Sequence, residues 1–258
     1  MRSRSGGRTG ESMADAEYEA VVTRDDDLVR QAQQLRQQVF GEEFGLSASA
    51  DGVDSDACDR YADHVVVRHR TSGEVVGTYR MLTPAAAARA GGNYSDQLFD
   101  LRPLRSIQPR LLELGRACVH PEHRNGVVIS LLWMGLVAHA REQGLRWLAG
   151  CCSVPLADGG AEADRIWATV AEKHLAPPER LVAPRREWVV GPAERIPERE
   201  LPALLKAYLR LGAQVCGKPA HDPDFDTADL YVLLDLDAVP QRYLARFERL
   251  WAYGRQCA

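Results

Sequence analysis

Apolar residues recur along this chain with two periods, one near 3.6 residues and one near 2, so helices and strands alternate. Leu28, Ala32, Leu35 and Val39 stand at helical spacing behind Asp25-Asp26-Asp27, whose charges suit a helix N-terminus, and Gly41 is the expected stop. Residues 42–60 are acidic and small and predict a loop. The β-branched runs at 65–68 and 75–81, joined by Thr71-Ser72-Gly73-Glu74, predict an antiparallel hairpin. Residues 84–90 read as a short helix that Pro84 opens and Gly91-Gly92 closes. Residues 93–110 read as irregular chain anchored by Tyr94 and Phe99. A strand at 111–119, a loop at 120–126 and an apolar helix at 127–143 with Gly144 as its C-cap follow in order. Further on, the pattern predicts a strand at 145–152, a helix at 161–174 ended by Pro177-Pro178, and a strand at 186–190. A helix at 201–211, a short extended piece at 214–217 and a strand at 229–236 come next. The last element is a helix at 240–253 with Leu244, Phe247 and Trp251 on one side. An early hairpin among interleaved helices predicts a mixed α/β fold, a mostly antiparallel central sheet flanked by helices.

Composition narrows the picture. The chain has 258 residues, of which 45% are hydrophobic and 26% charged, enough to bury a core without staples. We read residues 17–258 as one domain behind a flexible tail at 1–16, within which Met13 is an alternative start. A net charge of −4 gives no basic excess, so nucleic-acid binding is not expected. No apolar run approaches the ~20 residues that span a bilayer. Cys58, Cys118, Cys151, Cys152, Cys216 and Cys257 are irregularly spaced, with no CxxC pair and no apolar leader ahead of them. Reduced thiols, a cytoplasmic location and no zinc are the expectations. GxGxxG, the Walker A loop and G-x-S-x-G are absent, which removes dinucleotide, P-loop and hydrolase-elbow chemistry.

A strand, then His120-Pro121-Glu122-His123-Arg124-Asn125-Gly126, then a helix, resembles the central unit of the GNAT acyltransferases. In that unit, loop N–H groups and the helix N-terminus seat a pyrophosphate or phosphopantetheine arm, as unpaired donors and a positive dipole end allow. Several segments bring the resemblance closer to the ornithine N-acyltransferases of ornithine-lipid synthesis, also described as hemolysin-like GNAT proteins. They are Gly73-Glu-Val-Val-Gly-Thr-Tyr-Arg-Met-Leu82, Glu113-Leu-Gly-Arg-Ala-Cys-Val-His-Pro-Glu122, Leu131-Leu-Trp-Met-Gly135, Gly150-Cys-Cys-Ser153, Leu204-Leu-Lys-Ala-Tyr-Leu-Arg-Leu-Gly212 and Asp222-Pro-Asp-Phe-Asp-Thr-Ala-Asp229. The resemblance covers about residues 20 to 250 and extends to the homoserine-lactone autoinducer synthases. It implies transfer of a 3-hydroxy fatty acyl group from acyl carrier protein to the α-amine of ornithine, giving a lyso-ornithine lipid. The phosphopantetheine thioester is then a co-substrate and no resident cofactor is needed, with a CoA thioester as the alternative donor. One departure bears on the donor. Acetyl-CoA enzymes carry Arg-X-X-Gly-X-Gly or -Ala here, whereas Arg124 is followed by Asn125, Gly126, Val127, Val128 and Ile129, bulky where close approach to a pyrophosphate asks for small residues. The departure favours a carrier-protein phosphodiester.

Amide formation from a thioester needs a neutral amine, a stabilised oxyanion and a proton acceptor. Glu113 is the candidate base or amine anchor, with a buried ion pair as the structural alternative. Arg116 is the candidate for a substrate carboxylate or donor phosphate. The two should point to opposite faces of a regular strand, unless a bulge at Gly115 intervenes. Ser153 is the candidate to bond a donor amide or protonate the leaving thiolate. Val119, Arg124, Asn125, Gly126 and Val127 form the expected donor seat. Arg80, Asp226 and Asp229 are the candidates for the acceptor. Cys118 and Cys151 read as small core residues, and Trp133 as a wall of an acyl tunnel. Arg102, Arg105 and Arg110 are the candidate basic patch for an acidic carrier protein. A lipid product implies transient contact with the inner membrane leaflet. The rivals are an acetyl-CoA N-acetyltransferase of a small amine, a synthase using S-adenosylmethionine, and a non-catalytic carrier-binding module.

Overall fold

The computed structural model describes residues 17–245 apart from 46, 48 and 242; the expected tail at 1–16, Cys257 and most of the helix at 240–253, with Phe247 and Trp251, lie outside them. The order is β1 (Tyr18–Thr23), α1 (Asp26–Phe44), β2 (Asp63–His69), β3 (Val75–Leu82), α2 (Pro84–Ala90), β4 (Phe99–Asp100), β5 (Leu111–Val119), α3 (Val127–Glu142), β6 (Trp147–Pro155), α4 (Ala161–Lys173), β7 (Ala183–Pro184), α5 (Ala203–Arg210), β8 (Gln214–Val215), β9 (Ala220–Asp222) and β10 (Thr227–Asp235). The main sheet runs β1-β2-β3-β5-β6-β10-β8, with β9 also on β10; only the β5–β6 pairing among these is parallel. The mixed, mostly antiparallel sheet therefore stands.

α1 covers one face through Ala32, Leu35, Val39 and Phe40, which pack on Val66, Val75 and Cys118. The opposite face carries α3, whose Val128, Leu132 and Leu136 join Val65, Val67, Val76 and Leu112. At Gly77 a side chain would strike Val128 at 2.5 Å, so this glycine sets how closely α3 lies on β3.

The hairpin, α2, β5 and α3 fall where the pattern puts them. Three expectations need correction, and one strand, β1, was not foreseen. α1 runs through Gly41 and stops at Gly45, because Phe40 and Phe44 both reach Phe225 and that packing outweighs the ~1 kcal/mol a helical glycine costs. β1 has too weak an alternation to be read alone, and its register with β2 defines it. Residues 186–190 form no strand: only Glu187 bridges, to Ala220, while Trp188 folds over Gly160. β6 extends to Pro155, so Ser153 lies inside it.

Candidate active site

β5 and β6 hydrogen-bond only over Leu111–Glu113 and Trp147–Ala149. At Gly150 the strands are as close as backbone permits, since a side chain there would meet the Leu114 carbonyl at 2.2 Å. Beyond that point β5 keeps β3 and β6 keeps β10, but they do not pair with each other. A cavity of about 690 Å³ opens in the gap.

A bulge shapes one wall. Thr78 faces Cys118 and Arg80 faces Gly115, so one residue of β3 (Tyr79) stands against two of β5 (Arg116 and Ala117). Arg116 takes up the extra residue at φ +54°. Glu113 and Arg116 both border the cavity, as does every residue of β5 from Glu113 to Val119.

At one end lies the opening turn of α3. Gly126 adopts φ +84° and borders the cavity, as do Val119 and Arg124. Arg124 donates from Nε to the Val119 carbonyl at 3.1 Å and pairs with Glu43, which fixes the loop on α1. Asn125 and Val127 do not border the cavity. Asn125 accepts the Val127 N–H at 3.0 Å and donates to the Tyr18 hydroxyl at 3.2 Å, so it braces the entry to the helix, of which Val127 is the first residue. The N–H groups of Val128 and Ile129 have no carbonyl partner within the helix by its geometry.

The other end is ionic. The Arg116 guanidinium sits 4.6 Å from the Tyr94 ring centre and 4.9 Å from that of Phe225. It pairs with Asp56 at 3.0 Å and Asp54 at 3.2 Å. Arg80 pairs with Asp56 at 2.6 Å and Asp59 at 3.2 Å, and the fully buried Arg36 with Asp54 and Asp59. These arginines hold Asp56 and Asp59 below the usual carboxylate range. Spacing in the acidic loop gave no hint of this network. The available signal was three arginines standing alone in apolar stripes, each of which needs a buried counter-charge.

Glu113 is buried, and its two oxygens accept the N–H groups of Tyr94 at 2.7 Å and Ser95 at 2.9 Å. Burial pushes its carboxyl upward. It is thus not the arginine ion pair set against the base reading; it anchors the backbone that carries Tyr94.

Asp229 and Ser153 are cross-strand partners on β10 and β6, and both border the cavity. Asp229 is 2% exposed. Burial pushes its carboxyl up to about 7, nearby Asp222 adds to this, and bonds from Ser153 and Thr227 oppose it. Tyr94 donates its hydroxyl to Asp222 at 3.3 Å. Asp226 does not reach the site: it stands on an exposed turn at φ +50°, its side chain 3.9 Å from His221.

Burial pushes the thiols of Cys118 and Cys152 up to about 12 and that of Cys151 well above its usual value, so these cysteines are small packing residues rather than nucleophiles. Trp133 does not border the cavity; it packs edge-on against Tyr208 at 5.0 Å, and Tyr79, Leu204, Leu205 and Ala207 form the apolar wall instead. Arg102, Arg105 and Arg110 precede the start of β5, whereas the loop bearing Arg124 follows its end. Among the described residues, no group of three or more His, Cys, Asp or Glu is placed to hold a metal ion, and no helix is long and apolar enough to cross a membrane.

Residues 35–134 match the family model described as acetyltransferase (GNAT) domain. The chain is 35% identical to the L-ornithine N(alpha)-acyltransferase of Rhodobacter capsulatus over 247 residues, 90% of this chain and 95% of that protein. It is 32% identical to the protein of the same name from Brucella abortus, covering 85% and 84%. Among solved structures it is similar to TofI, in a ternary complex with an inhibitor and MTA, with a TM-score of 0.52 at 17% identity, covering 88% of this chain and 96% of that one. It is also similar to the AHL synthase LasI, with a TM-score of 0.51 at 15% identity, covering 88% and 94%. At such identities these two share the fold.

Proposed function

The chain belongs to the L-ornithine N(alpha)-acyltransferase family and is an acyltransferase of the GNAT fold, and from that membership we propose that it moves a 3-hydroxy fatty acyl group from the phosphopantetheine arm of acyl carrier protein to the α-amine of ornithine, releasing a lyso-ornithine lipid. One observation carries the reading: a single cavity joins the opening turn of α3, an apolar wall under α5, and the carboxyl of Asp229.

The thioester arm enters beside Gly126, where the free N–H groups of α3 face its phosphate. The arm lies along the unpaired edge of β5, and its acyl chain turns under α5. The acceptor binds at the ionic end, its carboxylate towards Arg116 and its side-chain ammonium towards Asp222. The amine nitrogen attacks the thioester carbonyl; a C–N bond forms and the C–S bond breaks. The proton leaving the amine passes to Asp229, whose carboxyl at about 7 is matched to an α-amine near ~8. Ser153, the cross-strand partner of Asp229, hands a proton to the departing thiolate and recovers one from Asp229, so no proton is gained or lost overall. Glu113 acts by positioning Tyr94, and the base is Asp229.

The test is donor competition. Purified protein is given ornithine with 3-hydroxyacyl carrier protein, 3-hydroxyacyl-CoA or acetyl-CoA, and products are read by mass spectrometry. We expect 3-hydroxyacylornithine, formed fastest from the carrier thioester. Acetylation of an amine with no turnover of either long-chain thioester would overturn the proposal.

A further inference from the structure

We propose that Tyr208 on α5, held through its hydroxyl by Tyr79, is the end wall of the acyl arm and sets the length of chain the enzyme transfers; this rests on the acyl-transfer reading above. Tyr79, Leu114, Leu205 and Ala207 bound the apolar arm of the cavity. Tyr208 lies directly behind them, its hydroxyl against that of Tyr79 and its ring against Trp133. Tyr208 also borders a second void of about 10 Å³, lined besides by Leu148, Val232 and Leu234. Leu114 and Cys151 border both spaces, so one layer of side chains separates them. One tyrosine hydroxyl donates to the other, and the side chains around them, Leu114, Leu205 and Ala207, are apolar. A methyl terminus meets there a dry wall that water has no reason to enter.

The wall is held from three directions, by Tyr79 on β3, Trp133 on α3 and the backbone of α5 itself, so it does not yield to a longer chain. Removing the Tyr208 ring merges the arm with the second void and makes room for further methylenes. Each methylene gained or lost in an apolar pocket changes turnover by about tenfold or more.

The experiment measures acylornithine formation across 3-hydroxyacyl thioesters of successive chain lengths. Tyr208→Ala should raise turnover of chains longer than the wild-type optimum, relative to that optimum, by at least ~10-fold. Leu148→Ala enlarges only the space lined by Leu148 and should keep the wild-type profile. Should Tyr208→Ala fail to fold, Ala207→Leu carries the test, because it narrows the arm and should move the optimum to shorter chains. A folded Tyr208→Ala, or failing it Ala207→Leu, with the wild-type profile overturns the inference. Wild-type protein that acylates ornithine with no chain length would instead overturn the function on which the inference rests.

Discussion

Asp229 and Asp226 sit three residues apart in one acidic run, and the fold gives them opposite fates. Asp229 points from β10 into the cavity at 2% exposure, while the side chain of Asp226 is 70% exposed on a turn. Their charges are the same in sequence; burial, with nearby Asp222 adding to it, pushes the Asp229 carboxyl to about 7. The active form is the carboxylate, so kcat/KM should rise with pH through about 7. Asp229→Asn should flatten that limb and lower kcat by ~10²–10⁴-fold. The same group is linked to stability. Its pKa in the folded state is raised above the unfolded value of ~3.9, so the folded chain holds the extra proton between about pH 4 and 7. Stability from this group is full below that window and declines as pH rises through it. Asp229→Asn should remove the decline, which urea unfolding on either side of the window will measure; an unchanged slope would show that the group titrates normally.

At the scale of elements, two local irregularities build the site. The bulge on β5 places Arg116 at φ +54°, and was legible only as a condition on Gly115. Gly150 brings β6 against the Leu114 carbonyl just where pairing with β5 ends, and this contact fixes where the split begins. Gly150→Ala puts a methyl group 2.2 Å from that oxygen, so the strands must part there. We expect a loss of ~1–3 kcal/mol in stability and a larger fall in kcat/KM than in folded fraction, measured by thermal unfolding beside turnover. An alanine variant as stable and active as wild type would show that the close approach is not needed.

Across the whole molecule, Arg124 and the cluster of Arg102, Arg105 and Arg110 stand at opposite ends of β5. β5 has nine residues at ~3.3 Å each, so roughly 25–30 Å separates Arg110, before its start, from Arg124, beyond its end. Replacing Arg102, Arg105 and Arg110 together with serine should leave KM for the carrier thioester within about twofold; a tenfold rise would place carrier docking at that pole. By itself the sequence determined the mixed sheet, the hairpin, the β5–loop–α3 unit and the family resemblance, and it singled out Asp229, Ser153 and Arg124, which border the cavity. Those features follow from local periodicity, turn residues and motif spacing, which a chain carries along its length. Tertiary structure alone decided that Asp54, Asp56 and Asp59 neutralise three arginines, that Asn125 bonds Tyr18 and the first N–H of α3 rather than bordering the cavity, and that Tyr79 and Tyr208 meet across 129 residues. Each of these depends on burial and on contacts between distant segments, and both come into being only when the sheet and its helices close on one another.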